Sequence, residues 1–183
     1  MDVDYRTMGA VAAGLWFRGW TGGTADYQAI ASFPAVAAYE PGQFYRRELP
    51  CLLGVLERGP RADVVLVDGY VWLGNGAAGL GAHLHTAIGK VVVGVAKTRF
   101  AGTTDAVAVC RGGSRSPLFV SAVGMSAEAA AAQVVAMHGP HRLPTLLKQV
   151  DTLARSTRQD VEPLASSASP REHGAWRHDI KPA

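Results

Sequence analysis

Apolar positions along this chain follow two different periods. Residues 8–17 (MGAVAAGLWF) carry no charge and read as a buried or half-buried strand. Residues 20–24 (WTGGT) form a glycine turn, and residues 25–38 are apolar enough for the next strand. Tyr39-Glu40-Pro41-Gly42 is a loop, because Pro-Gly interrupts regular structure. The period then becomes helical. In residues 47–58 (RELPCLLGVLER), Leu49, Leu52, Leu53 and Leu56 recur at spacings of three and four. Pro50 fits that helix only within its first turn. Residues 62–67 (ADVVLV) are β-branched and predict a fully buried central strand that ends at Asp68-Gly69. Residues 74–81 (GNGAAGLG) form a glycine-rich loop leading into a helix, and residues 90–96 (KVVVGVA) predict a second buried strand ending at Lys97. Residues 106–111 and 118–122 are further strand candidates. Ser126 is a good N-cap for a helix over 127–137, with Glu128 in its first turn, and Pro144 suits the start of an amphipathic helix over 143–155.

Strands alone occupy the chain before residue 47, and helices alternate with strands after it. The class is therefore α/β: an antiparallel meander feeding a partly parallel mixed sheet flanked by helices. One domain is expected over residues 1–156, followed by a polar, flexible tail over 157–183. Hydrophobic residues make up 48% of the 183 and charged residues 18%, which excludes a disordered chain. No stretch of 18 apolar residues is present, so no membrane helix is expected, and the acidic start Met1-Asp2-Val3-Asp4 does not read as a secretory signal. Cys51 and Cys110 form neither a CxxC pair nor a disulfide framework, which points to a reducing cytoplasm. The net charge of +3 permits nucleic-acid binding without demanding it.

Three acids stand where the pattern changes. Asp2 opens the first strand region, Glu48 opens a helix and Asp68 closes a buried strand. Ligands in open α/β sheets bind outside the carboxyl ends of strands, which singles out Asp68. If the three converge, they form an all-oxygen site suited to Mg²⁺ or Mn²⁺ and to phosphodiester cleavage. Taken singly, each has a plain structural explanation: a helix dipole for Glu48, a solvated terminus for Asp2, a turn for Asp68. Lys97 is placed to neutralise a phosphate, or is a surface lysine at a strand end. His83 and His85, two residues apart, point to different sides of a helix, and His83 reads as a hydrogen-bonded packing residue. Cys51 and Cys110 read as packing residues. The loop GNGAAGLG lacks GxxxxGK[ST], so a substrate loop and tight helix packing are both open.

In order, several segments resemble the endonuclease V family of deaminated-base nucleases. They are Asp2-Val3-Asp4-Tyr5, Tyr39-Glu40-Pro41-Gly42 through Arg47-Glu48, Val67-Asp68-Gly69, Gly94-Val95-Ala96-Lys97, Pro117-Leu118-Phe119 and Arg142-Leu143-Pro144. The resemblance implies an RNase H-like fold and cleavage of a phosphodiester 3′ of inosine in DNA or RNA with Mg²⁺ or Mn²⁺. It implies that Asp2, Glu48 and Asp68 hold the metal and that Lys97 assists catalysis; a monomer is expected. Tyr39 and Pro41 match half of the family's strand-separating wedge, with Gly42, Gly69, Tyr70 and Gly79 on the nucleic-acid side.

This chain resembles a divergent, N-terminally short member. After VDG the family reads His-Gly and then His-Pro-Arg, whereas here the run is Tyr70-Val71-Trp72-Leu73-Gly74-Asn75-Gly76. A later family Gly-His is matched by Gly124-Met125, and Glu40 puts a negative charge in the wedge. Tyr70 and Trp72 are the aromatic side chains available there to stack a base. These departures leave two alternatives beside the nuclease. One is a related enzyme acting on a small nucleotide or phosphorylated metabolite, and the other is a non-catalytic relative.

Overall fold

The computed structural model describes residues 1–157 except Met8, Tyr39 and Pro41. Strands β1 (Asp2–Tyr5), β2 (Ala10–Trp16) and β3 (Tyr27–Phe33) form an antiparallel meander. Helix α1 (Tyr45–Leu56) follows, then β4 (Val64–Asp68), α2 (Leu80–Ile88) and β5 (Val91–Ala96). The chain continues through β6 (Val107–Val109), β7 (Leu118–Val123), α3 (Ala127–Ala136) and α4 (Thr145–Ser156). Strands β4 and β5 pair in parallel, β7 pairs antiparallel with both β5 and β6, and the order in this second sheet is β4-β5-β7-β6. The Met1 amino group donates to the Leu66 carbonyl at 2.8 Å, which ties β1 to β4 and brings the two sheets side by side.

Both faces of the sheet are covered. Val65, Val67 and Val92 pack with Leu52 of α1 and with Leu80 and Leu84 of α2. Their neighbours Leu66, Val93 and Val95 point to the opposite face and pack with Ala130, Ala131 and Val134 of α3. The meander behaves the same way: Ala10 and Ala12 meet Cys51 and Val55 of α1, while Ala13 meets Val150 and Ala154 of α4. Burial on both sides is why β2, β4 and β5 read as continuous apolar runs rather than alternating ones. Alanines on β2 bring α1 and α4 close to the sheet.

The local signals act as expected at two ends. Ser126 Oγ accepts from Ala129 N at 3.1 Å and caps α3. Gly89, with φ +64°, ends α2 and donates to the His85 carbonyl. Other expectations are corrected. Strand β1 is separate from β2, because the chain turns at Arg6, whose N–H donates to the Gly9 carbonyl. Pro50 is not in the first turn of α1 but is its sixth residue, since the helix starts at Tyr45. The Arg46 carbonyl thereby lacks its intrahelical donor, and the exposed proline lies on the solvent side, where water serves that carbonyl. Strand β6 is three residues long and stops before Cys110, which is exposed rather than packed. Among the described residues the His83 side chain has no hydrogen-bond partner: its ring stacks on Tyr45, with centroids 3.5 Å apart. The tail, with His173 and His178, lies outside the described residues apart from Thr157. No described helix is long and apolar enough to cross a membrane.

Gly94 marks the tightest backbone approach near the ends of β4 and β5. A Cβ there would lie 2.5 Å from the Gly69 carbonyl oxygen and 3.0 Å from Ser121 Oγ. Gly94→Ala is expected to destabilise the fold by about 1–3 kcal/mol, because backbone must shift to admit the methyl group. A lowered midpoint in urea unfolding, with unchanged slope, checks this.

Candidate active site

The parallel register sets Asp68 opposite Val95, and Gly69 N donates to the Val95 carbonyl at 3.4 Å. Asp68, the last residue of β4, therefore lies beside Lys97, the first residue past β5. Lys97 Nζ donates to Asp68 Oδ2 at 2.7 Å and stands 3.6 Å from Asp151 Oδ1. Asp151 comes from α4, where Arg155 also donates to its Oδ1 at 3.0 Å. Asp2, on β1, lies near enough to Asp151 for that carboxyl to raise its pKa, and its own Oδ1 accepts from Val3 N at 2.9 Å. Glu48 enters from the first turn of α1 and is only 8% exposed.

These carboxyls feel one another. Burial, and then the charges of Asp2 and Asp68, push Glu48 up to about 8. Burial, the charge of Asp68 and the nearby Asp151 carboxyl push Asp2 up to about 6. The Lys97 ammonium is held above its ordinary range: burial opposes its charge, but the hydrogen bond and charge of Asp68 outweigh that, with Asp151 and Asp2 adding to them. The fold thus places acids from β1, β4 and α4 near one lysine, with Glu48 of α1 near enough to Asp2 and Asp68 to feel their charges.

The donor set suits a hard dication, being carboxylate oxygen from several elements with mutual repulsion to relieve. As the side chains stand, no group of three His, Cys, Asp or Glu residues among those described is arranged around a common metal position. Asp68 is turned to Lys97 instead. Two cavities, one of about 460 Å³ beside Trp72 and Glu128 and one of about 560 Å³ between Trp16 and Val64, lie away from these groups. The Asp68 and Lys97 side chains are each 38% exposed, whereas Glu48 is buried.

With this geometry in view, a model of the endonuclease V family matches residues 1–131. The chain belongs to the endonuclease V family. An endonuclease V from Xanthomonas campestris pv. campestris is 39% identical over 77 residues, which is 40% of this chain and 32% of that relative. The chain thus matches about a third of the length of its curated relatives. The crystal structure of human ENDOV superposes with a TM-score of 0.66 at 25% identity, covering 84% of this chain and 81% of that one. A Ciona intestinalis endonuclease V, in complex with DNA containing an inosine followed by a ribo-adenosine, gives a TM-score of 0.68 at 19% identity, over 84% and 83% of the two chains. The architecture is the RNase H-like mixed α/β fold of these endonuclease V structures.

Of the four residues expected at the centre, Asp68 and Lys97 are in direct contact, and the charges of Asp2 and Asp68 reach Glu48. The nucleic-acid side is more mixed. Gly69 adopts φ +127° and faces empty space, as does Gly42 with φ +78°. Gly79 is packed instead, because a Cβ there would lie 2.6 Å from the Tyr70 carbonyl oxygen. Tight packing therefore explains that part of GNGAAGLG. Tyr39 and Pro41 lie outside the described residues.

Tyr70 is no open stacking face, being 8% exposed. Its hydroxyl donates to the Thr98 carbonyl at 2.8 Å and accepts from Phe100 N at 3.1 Å. Trp72, half-buried, donates to the Ala122 carbonyl. The aromatic surface is Phe100, 46% exposed with its ring centroid 6.2 Å from that of Tyr70. Neither Phe100 nor Asp151 stood out in the sequence. The one available signal for Asp151 is an acid on the turn of α4 that follows the buried Val150.

Because Glu48 and Asp2 bind protons more tightly folded than unfolded, stability falls as pH rises from about 4, through the unfolded values of 4.5 and 3.8, toward about 8. In metal-free protein, Glu48→Gln should flatten this slope and be the more stable form at pH 8, by about 1–3 kcal/mol. Urea unfolding at pH 5 and pH 8 in EDTA reads the difference. A wild type equally stable at both would contradict it.

Proposed function

We propose that this chain is a Mg²⁺- or Mn²⁺-dependent endonuclease that hydrolyses a phosphodiester 3′ of a deaminated base, inosine, in DNA or RNA. The observation that carries the reading is the contact of Asp68 with Lys97, with Asp2 and Glu48 near enough to feel the charge of Asp68, in a chain of the endonuclease V family. Asp2, Glu48 and Asp68 are the residues that would hold the metal, which when bound neutralises phosphate charge and acidifies a water molecule. Lys97, on the exposed side of the acids, offers its ammonium to a phosphate oxygen. Asp151, close to both, orients Asp2 and Lys97.

On the base side, the space beside Gly69 admits a base, and Phe100 supplies the stacking face. Tyr70 holds Phe100 in place from behind. Gly42, with Tyr39 and Pro41, belongs to the strand-separating loop in this reading. A monomer in a reducing cytoplasm fits the two free cysteines. The small-metabolite alternative is less well supported. Sites for small molecules are concave and enclosing, whereas neither of the two cavities is lined by these acids, and the exposed Asp68 and Lys97 pair suits a strand that lies across it.

The first test is cleavage of labelled single-stranded DNA and RNA, each with one inosine, in Mg²⁺ and in Mn²⁺. The expected product is cut 3′ of inosine. Asp68→Ala should lower the rate by more than the roughly 10–100-fold that loss of an outer partner costs. No cut by folded wild-type protein with either metal would refute the nuclease. Phe100→Ala should raise KM for the inosine strand by about 5–150-fold, the worth of one base stacked on an aromatic ring. An unchanged KM would remove Phe100 from the base site.

A further inference from the structure

We infer that Lys97 and the divalent metal compete for the same carboxylates, so that a substrate phosphate that draws the lysine away tightens metal binding. The inference rests on the nuclease reading and adds to it a coupling between substrate and metal.

Three features of the site carry it. Lys97 Nζ is the cation seated among the acids, at 2.7 Å from Asp68 Oδ2 and 3.6 Å from Asp151 Oδ1. With the lysine there, no three acidic, histidine or cysteine side chains among the described residues are arranged around a metal position. An ammonium and a dication of like sign cannot both sit against Asp68 without strong repulsion. A metal that takes Asp68 Oδ2 therefore competes with the lysine for that oxygen.

The lysine is built to leave by its side chain alone. Its backbone is fixed, because Arg142 donates to the Lys97 carbonyl and, at 2.8 Å, to the Pro117 carbonyl. Ala96, the preceding residue, is paired with Phe119 of β7. The side chain is 38% exposed, so it can swing on its four-carbon stem into solvent without uncovering core. In solvent it meets the phosphates of a bound strand. Once a phosphate holds the ammonium, Asp68 loses its counter-charge, while Asp151 keeps Arg155 alone, and the pair attracts the dication more strongly. By linkage, metal binding must then favour the strand by the same factor.

The test is a Mn²⁺ titration of the full chain by calorimetry, with free Mn²⁺ followed in parallel by electron paramagnetic resonance. It is run with and without a short single-stranded oligothymidylate at low salt. Lys97→Met is expected to bind Mn²⁺ at least about fivefold more tightly than wild type. Lys97→Arg, which keeps a cation beside Asp68, should stay near wild type. Arg155→Met removes an equal charge that touches Asp151 alone and should have the smaller effect, which separates local competition from net charge. Oligothymidylate should tighten Mn²⁺ binding in wild type and lose that effect in Lys97→Met.

Mn²⁺ affinity unchanged or weakened in Lys97→Met overturns the exchange, as does an oligothymidylate effect that survives the substitution, or the absence of Mn²⁺ binding in both forms. The nuclease reading fails separately. Tighter Mn²⁺ binding in Lys97→Met, with no cleavage of inosine strands by wild type, keeps the exchange and removes the nuclease. Cleavage by wild type with Mn²⁺ affinity indifferent to Lys97 does the reverse.

Discussion

The five-rung parallel pairing of β4 with β5 fixes where everything at the site can be. It runs from Val64 against Val91 to Asp68 against Val95, and it brings an acid and a lysine to the same end of the sheet. The pairing is possible because both strands are buried on both faces by apolar side chains. It is close because Gly94 has no side chain to push the Gly69 carbonyl away. Helices α1 and α4 then need only lie against the meander to bring Glu48 and Asp151 to the same end.

Gathering carboxyls in this way is costly, and the cost is visible in Glu48, held up to about 8, and Asp2, held up to about 6. The rest of the fold tolerates it through the single lysine and through rigid supports around it. Arginine supplies many of those supports. Arg6 donates to the Ala154, Arg155 and Thr157 carbonyls at the end of α4, and Arg111 to the Met137, Gly139 and His141 carbonyls beyond α3. Arg58 donates to the Ile30 carbonyl, and Arg142 fixes Lys97. Four of the eighteen basic residues, Arg6, Arg58, Arg111 and Arg142, are thus turned to main-chain carbonyls.

The loop after Asp68-Gly69 shows how a departure from the family pattern is absorbed. Where the family carries histidine, Tyr70 turns inward and its hydroxyl takes both the carbonyl of Thr98 and the N–H of Phe100. Val71 N donates to Ser121 Oγ, Gly79 N to the Val71 carbonyl, and Trp72 bridges to Ala78. What reads as a flexible glycine-rich stretch is pinned to the sheet at several points. The exposed ring moves from this loop to Phe100, beyond the next strand.

The sequence by itself determined the α/β class, the burial of β2, β4 and β5, and the starts of α3 and α4, because period, β-branching and capping are local physics. The resemblance of its motifs to the endonuclease V family is what singled out Asp2, Glu48, Asp68 and Lys97. Periodicity could not mark Asp151, whose neighbours Asp2 and Lys97 are 149 and 54 residues away by number. Nor could it tell that Tyr70 faces inward and Phe100 outward, or that Cys51 is buried while Cys110 is exposed. The start of α1 escaped it as well, since residues 43–45 carry no strong cap, and so Pro50 fell a turn deeper than the pattern allowed. Those outcomes depend on which surfaces meet, and only the packing of helices onto both faces of the sheet decides that.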